Sequence, residues 1–87
     1  SARITSDSPL IVLQAGGNKM QIRRDTFVQV QKALIKRKLY RDSPRNDMTH
    51  ALETALKAYQ KDQKLKETGL PDAATVIRLL IVPADQR

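Results

Sequence analysis

Apolar positions change period along the chain. Leu10-Ile11-Val12-Leu13 is a short run rich in β-branched residues, Gly16-Gly17-Asn18 follows, and Met20 and Ile22 then alternate with Gln21 and Arg23. Alternation with period two fits a half-buried strand, and Gly and Asn tolerate the positive φ of a tight turn. Residues 10–22 therefore read as a β-hairpin. An isolated hairpin is marginal in water, so this one is expected to pack on the rest of the chain.

Helical spacing begins after residue 25. Phe27, Val30 and Leu34 recur at i, i+3 and i+7, and Val28, Ile35 and Leu39 widen the stripe, predicting a first helix over residues 26–38 with Asp25 or Thr26 as its cap. Pro44, set among Asp42, Ser43, Asn46 and Asp47, makes residues 40–48 a loop. A second helix is expected from a cap at Asp47 or Thr49 to about residue 63, burying Leu52, Ala55, Leu56 and Tyr59. Gly69 falls in a turn, Asp72 caps a third helix reaching about residue 80 on an apolar face of Val76, Leu79 and Leu80, and Pro83 stops it. The organisation is mainly α: a flexible segment over residues 1–9, a hairpin extension over 10–24, a three-helix unit over 25–82 and a tail over 83–87.

Eighty-seven residues make one domain with a small core, and the absence of cysteine leaves neither a disulfide framework nor a Cys-based zinc site to reinforce it. No apolar run is long enough to span a bilayer. The polar start, Ser1-Ala2-Arg3-Ile4-Thr5-Ser6, lacks the pattern of a signal peptide and does not begin with Met, so the chain is expected to be a fragment or a processed form.

Charge changes the picture more. The net charge is +7, and residues 19–45 hold all of the excess, with nine basic groups against two acidic ones. Such a localised surplus implies an anionic partner, although Lys36, Arg37 and Lys38 also complement the dipole at the end of the first helix.

Catalytic chemistry finds little to work with. There is a single histidine, His50, no cysteine, and no pair of carboxylates spaced as an acid/base couple. Asp47 and His50 are too sparse for a metal site, and Gly16-Gly17-Asn18-Lys19 lacks the spacing of a phosphate loop. The chain therefore reads as a non-enzyme with no cofactor and no metal. With no tryptophan and 3% aromatic residues, a broad sugar-stacking platform is missing. Tyr59 is expected in the core, and Tyr40 is open to two roles, stacking on a sugar or capping the core.

Three segments carry a resemblance: Val30-Gln31-Lys32-Ala33-Leu34 running to Leu39-Tyr40; Ala55-Leu56-Lys57-Ala58-Tyr59-Gln60; and the stretch from Leu65 to Leu79 with Thr68-Gly69, Asp72 and Thr75. In order and spacing they resemble the peptidoglycan-binding-domain-like family, a three-helix module that anchors cell-wall enzymes and envelope proteins. The hairpin lies outside the resemblance. The middle departs from the pattern: the family's Asp-Gly falls on Arg45-Asn46, its aromatic-Gly on Met48-Thr49 and its helix-start Thr on Leu52. Asn46 can take the left-handed conformation of the lost glycine, and Met48 can fill the core in place of the aromatic. Matrix metalloprotease pro-segments share this fold but continue into Pro-Arg-Cys-Gly, whereas Val82-Pro83-Ala84-Asp85-Gln86-Arg87 has no cysteine.

The resemblance implies a non-catalytic peptidoglycan- or muropeptide-binding module of a larger envelope or secreted bacterial protein, periplasmic or extracellular. The ligand-binding residues it suggests are Tyr40, Arg41, Asp42, Arg45 and Asn46, flanked by the basic patch Lys36, Arg37 and Lys38, with a shallow groove beside the first helix and the 40–49 loop. Stem-peptide carboxylates suit such arginines. A second reading uses the same fold to contact another envelope protein through an open strand edge of the hairpin. Nucleic-acid binding through the basic face of the first helix ranks last, because the third helix carries only Arg78.

Overall fold

A computed structural model of the chain describes residues 9–81. The expectations for residues 1–8 and 82–87, including the stop at Pro83, lie outside the described residues. Two antiparallel strands, β1 (Leu10–Ala15) and β2 (Asn18–Arg23), lead into α1 (Arg24–Lys36), α2 (His50–Asp62) and a short α3 (Ala73–Val76), which widens into a π-helical turn over Ile77–Ile81. The architecture is mainly α with one hairpin.

Gly16 and Gly17 both take positive φ, 53° and 91°, the requirement of the two-residue turn whose twist matches paired strands. The register sets Ile11 opposite Ile22 and Leu13 opposite Met20. That face, with Ala15, packs on the helical core, while Leu10, Val12 and Gln21 face outward.

The start of α1 differs from expectation. Strand β2 runs directly into the helix, so α1 begins at Arg24, and Arg23 occupies the cap position without a side-chain hydrogen bond. Asp25 and Thr26 therefore sit inside the first turn. The Arg24 N–H donates to Pro9 O at 2.9 Å, so backbone from the start of the hairpin replaces the missing side-chain cap. Asp25 still complements the helix dipole and lies 3.8 Å from the Arg23 guanidinium.

Helices α1 and α2 close in the same way. Lys38 and Lys64 are left-handed, with φ of 64° and 61°. Beyond α1, the Lys38 and Leu39 N–H groups donate to Ile35 and Leu34; beyond α2, those of Lys64 and Leu65 donate to Lys61 and Gln60. This is the Schellman closure, which usually places glycine where these lysines stand. It ends α1 before Leu39, whose side chain is 39% exposed rather than part of the buried stripe.

The core assembles from Leu13, Phe27, Val30, Leu34, Tyr40, Leu52, Leu56, Tyr59, Leu70 and Leu79, and Met48 packs against it as expected. Thr49 caps α2 by accepting from the Leu52 N–H at 3.2 Å. In the third helix Asp72 accepts from the Thr75 N–H at 3.1 Å. The turn at Ile77–Ile81 then changes the facing: Leu79 stays buried, but Leu80 is 38% exposed, against the expected apolar face. A π turn bonds i to i+5 and rotates the side chains away from α-helical spacing.

Candidate functional site

Two glutamines set into the apolar stripes of α1 and α2 organise the loops. Gln31 follows Phe27 by one turn and Gln60 follows Leu56 likewise, so each projects inward with the hydrophobic residues, and both are fully buried. The Gln31 side-chain amide donates to Arg45 O and its carbonyl accepts from the Arg45 N–H, both at 2.7 Å. This pair of bonds ties the 40–48 loop to α1 at one residue. Asn46 is consequently not left-handed: the non-glycine residues with positive φ are Lys38 and Lys64 among the described residues.

Gln60 secures the turn before α3. Its amide donates to Leu70 O at 2.8 Å, Thr75 Oγ1 at 2.9 Å and Thr68 Oγ1 at 3.2 Å, while its carbonyl accepts from the Gly69 N–H at 3.0 Å. Thr68 and Thr75 hydroxyls both donate to Asp72. Gly69 is left-handed at φ 77°, and a Cβ there would come within 2.8 Å of Glu53 Cγ.

The expected binding residues are placed unequally. Arg41, Asp42 and Asn46 are exposed and make no side-chain hydrogen bond or ion pair among the described residues. The Arg45 guanidinium is committed to Asp47 at 3.1 Å, and that bond holds it still more firmly in the charged form. Tyr40 turns inward: it is 2% exposed, and its hydroxyl is buried without a hydrogen-bond partner. Of its two possible roles it fills the core-capping one.

Within the basic cluster, Lys36 is the last residue of α1, Arg37 is its C-cap and Lys38 lies beyond it. Lys36 and Lys38 face solvent. Arg37 bends back over the ring of Tyr59, 5.5 Å from its centroid. Burial pushes the Tyr59 hydroxyl above the ordinary phenol range, while Arg37 and Arg78 pull the other way.

A groove of about 500 Å³ opens at this end of the molecule, lined by Arg37, Leu39, Ala58, Tyr59, Asp62 and Gln63. Its walls are the C-terminal ends of α1 and α2. Residues 40–49, expected beside a groove, do not line this one, because the closure at Lys38 and the inward turn of Tyr40 lead the loop away.

Residues 23–79 match the family described as "Putative peptidoglycan binding domain". The chain belongs to this family. The matched span starts at the last residue of β2 and takes in α1, α2, α3 and the first three residues of the π turn, leaving most of the hairpin outside it. No curated protein and no solved structure gives a significant match. The residues through which the chain resembles the family are largely structural: Gln31, Gln60, Thr68, Gly69, Asp72 and Thr75 all lie in the two glutamine-centred clamps. Sequence reading located those residues in the family pattern but not the clamping role of the glutamines. A polar residue one turn after a buried apolar one, inside an otherwise apolar stripe, is the signal that could have revealed it.

Among the described residues no helix is long and apolar enough to cross a membrane, and no group of acidic or histidine side chains could hold a metal ion.

Proposed function

We propose that this chain is a non-catalytic cell-wall binding module of a larger envelope or secreted bacterial protein, working in the periplasm or outside the cell. The family match over residues 23–79 carries the reading. The surface assigned to peptidoglycan is the end of α1 and the loop after it: Lys36, Arg37, Lys38, Arg41, Asp42, Arg45 and Asn46, with Tyr40 supporting the loop from beneath. Carboxylates of the stem peptides are the natural partners of these cations. Arg41 is the unpaired arginine of the loop, so it contributes more than Arg45, whose charge Asp47 already engages.

Co-sedimentation with purified sacculi across a salt series tests the assignment. Wild-type binding is expected to survive moderate salt, and the Arg41→Glu/Arg45→Glu double variant is expected to lose it, with Arg41→Glu alone causing most of the loss. Binding that vanishes in modest salt for both forms would mean nonspecific polycation adhesion and would overturn the site.

A second reading has its own observation. Leu10 and Val12 are 61% and 58% exposed on the outward face of β1, in a two-stranded sheet. An exposed strand edge can take up a partner strand, which suits a protein–protein module in an envelope assembly. Val12→Pro should then reduce partner affinity more than charge reversal at Arg41 does, and affinity that persists through Val12→Pro would remove this reading.

A further inference from the structure

Arg37 and Asp62 both line the groove, one at the C-cap of α1 and the other at the last residue of α2, yet they make no ion pair with each other. Arg37 is held in place by its backbone bonds at the helix end and by the Tyr59 ring beneath its guanidinium. Asp62 accepts one hydrogen bond, from Gln63 Nε2 to Oδ2 at 3.0 Å, which leaves Oδ1 available. The rest of the lining is Leu39, Ala58, Tyr59 and Gln63. Arg37, Arg78 and Asp62 all act on the Tyr59 hydroxyl, so charges of both signs lie near it.

A groove lined by a cation and an anion that do not pair with each other suits a ligand that carries both charges close together. A phosphate or sulfate would satisfy Arg37 and be repelled by Asp62. A polyamine would meet the reverse. The apolar lining suits an aliphatic chain leading to the charged end.

We propose that this groove binds a free amino-acid centre at the end of an aliphatic side chain, one carbon bearing both an ammonium and a carboxylate. The carboxylate goes to Arg37 and the ammonium to Asp62. Among stem peptides this selects those whose third residue is a diaminodicarboxylic acid over those with lysine, whose side chain ends in an ammonium alone. The inference rests on the reading of the chain as a peptidoglycan binder and adds which stem peptide it takes.

Two soluble probes separate the possibilities: the muramyl tripeptide ending in meso-diaminopimelate and its counterpart ending in lysine. Each is titrated into the isotope-labelled 87-residue chain by NMR, beside the sacculus assay. The diaminopimelyl probe is expected to shift the amides of Arg37, Leu39 and residues 58–63, and to bind roughly tenfold more tightly than the lysyl probe, the range of one charge-assisted hydrogen bond. Arg37→Gln should erase the preference. Asp62→Asn should weaken both probes and keep the preference, and it serves as the working variant if Arg37→Gln fails to fold.

Equal affinities, or shifts confined to residues 41–46, would overturn the groove assignment. If sacculi still sedimented with the chain, peptidoglycan binding would stand without it. If neither probe bound and sacculi did not co-sediment, both would fall.

Discussion

The two loops that follow the long helices are each fastened by one buried glutamine, and they differ in how much of the loop the fastening includes. Gln60 reaches Thr68, Gly69, Leu70 and Thr75, and Gly69, Leu70, Pro71 and Thr75 are themselves buried. Gln31 reaches the loop only through the backbone of Arg45, and residues 41–47 are all exposed. The turn at residues 68–72 is therefore a folded part of the core. The 40–48 loop is a surface segment pinned at one point, where side chains can vary without disturbing the fold. That is where a ligand-facing surface can be placed at little cost in stability.

The comparison can be broken most directly by cutting each clamp with the same change. Gln60→Met keeps a similar volume but leaves the buried Gly69 N–H without an acceptor and removes a donor from Thr75 and Leu70. A loss of roughly 3 kcal/mol is expected from the orphaned group and the weakened network, measured by urea denaturation. A domain this size has few kcal/mol to spare, so the variant should be close to unfolded at physiological temperature. Gln31→Met frees the Arg45 N–H and carbonyl instead, and water can satisfy both because Arg45 is exposed. The expected loss is only about 1 to 2 kcal/mol, with faster hydrogen exchange at the Arg45 amide and little change at Gly69. Equal losses in the two variants would mean that the 40–48 loop is as much a part of the core as the later turn.

Legibility in the sequence follows the same divide. The hairpin could be read because alternation and a Gly-Gly-Asn turn agree on one structure, and the buried stripe of α2 because Leu52, Ala55, Leu56 and Tyr59 keep strict helical spacing. Three features were hidden for physical reasons. The start of α1 is capped by the carbonyl of Pro9, a contact between segments that no local pattern announces. The π turn that exposes Leu80 is announced by no local signal, since Ile77-Arg78-Leu79-Leu80-Ile81 contains neither glycine nor proline. The left-handed lysines contradict local preference, because the expected residue at that position is glycine or asparagine. At the site, the cationic cluster was visible as composition. The separation of Arg37 from its neighbours, folded over Tyr59 and into a groove, depends on which way each side chain turns after the helix closes.

Tyr40 sharpens the contrast from the side of the exposed loop. Its ring belongs to the core, yet its hydroxyl is buried without a partner, an arrangement the Gln60 network avoids. Removing an unsatisfied buried hydroxyl relieves a desolvation penalty. Tyr40→Phe is expected to stabilise the chain by up to about 1 kcal/mol in the same denaturation assay. A loss of that size would instead reveal an ordered water bonded to the hydroxyl.

The smallest effect separates stability from binding. Lys38 and Lys64 occupy equivalent left-handed positions, at φ 64° and 61°, in closures with the same hydrogen-bond pattern. Glycine at either position removes the steric cost of a Cβ and loses some of that gain to the greater freedom of the unfolded chain. Lys38→Gly and Lys64→Gly should therefore each raise stability by about 0.5 kcal/mol, a rise of a few degrees in Tm. Their effects on the wall should differ. Lys38 belongs to the basic end of α1, so its loss should weaken sacculus binding in low salt, whereas Lys64 follows α2 and should leave it unchanged. Because both variants remove one positive charge, the pair controls for net charge. Equal weakening by both would show that the overall surplus of charge drives adhesion, and the end of α1 would lose its claim to be the binding surface.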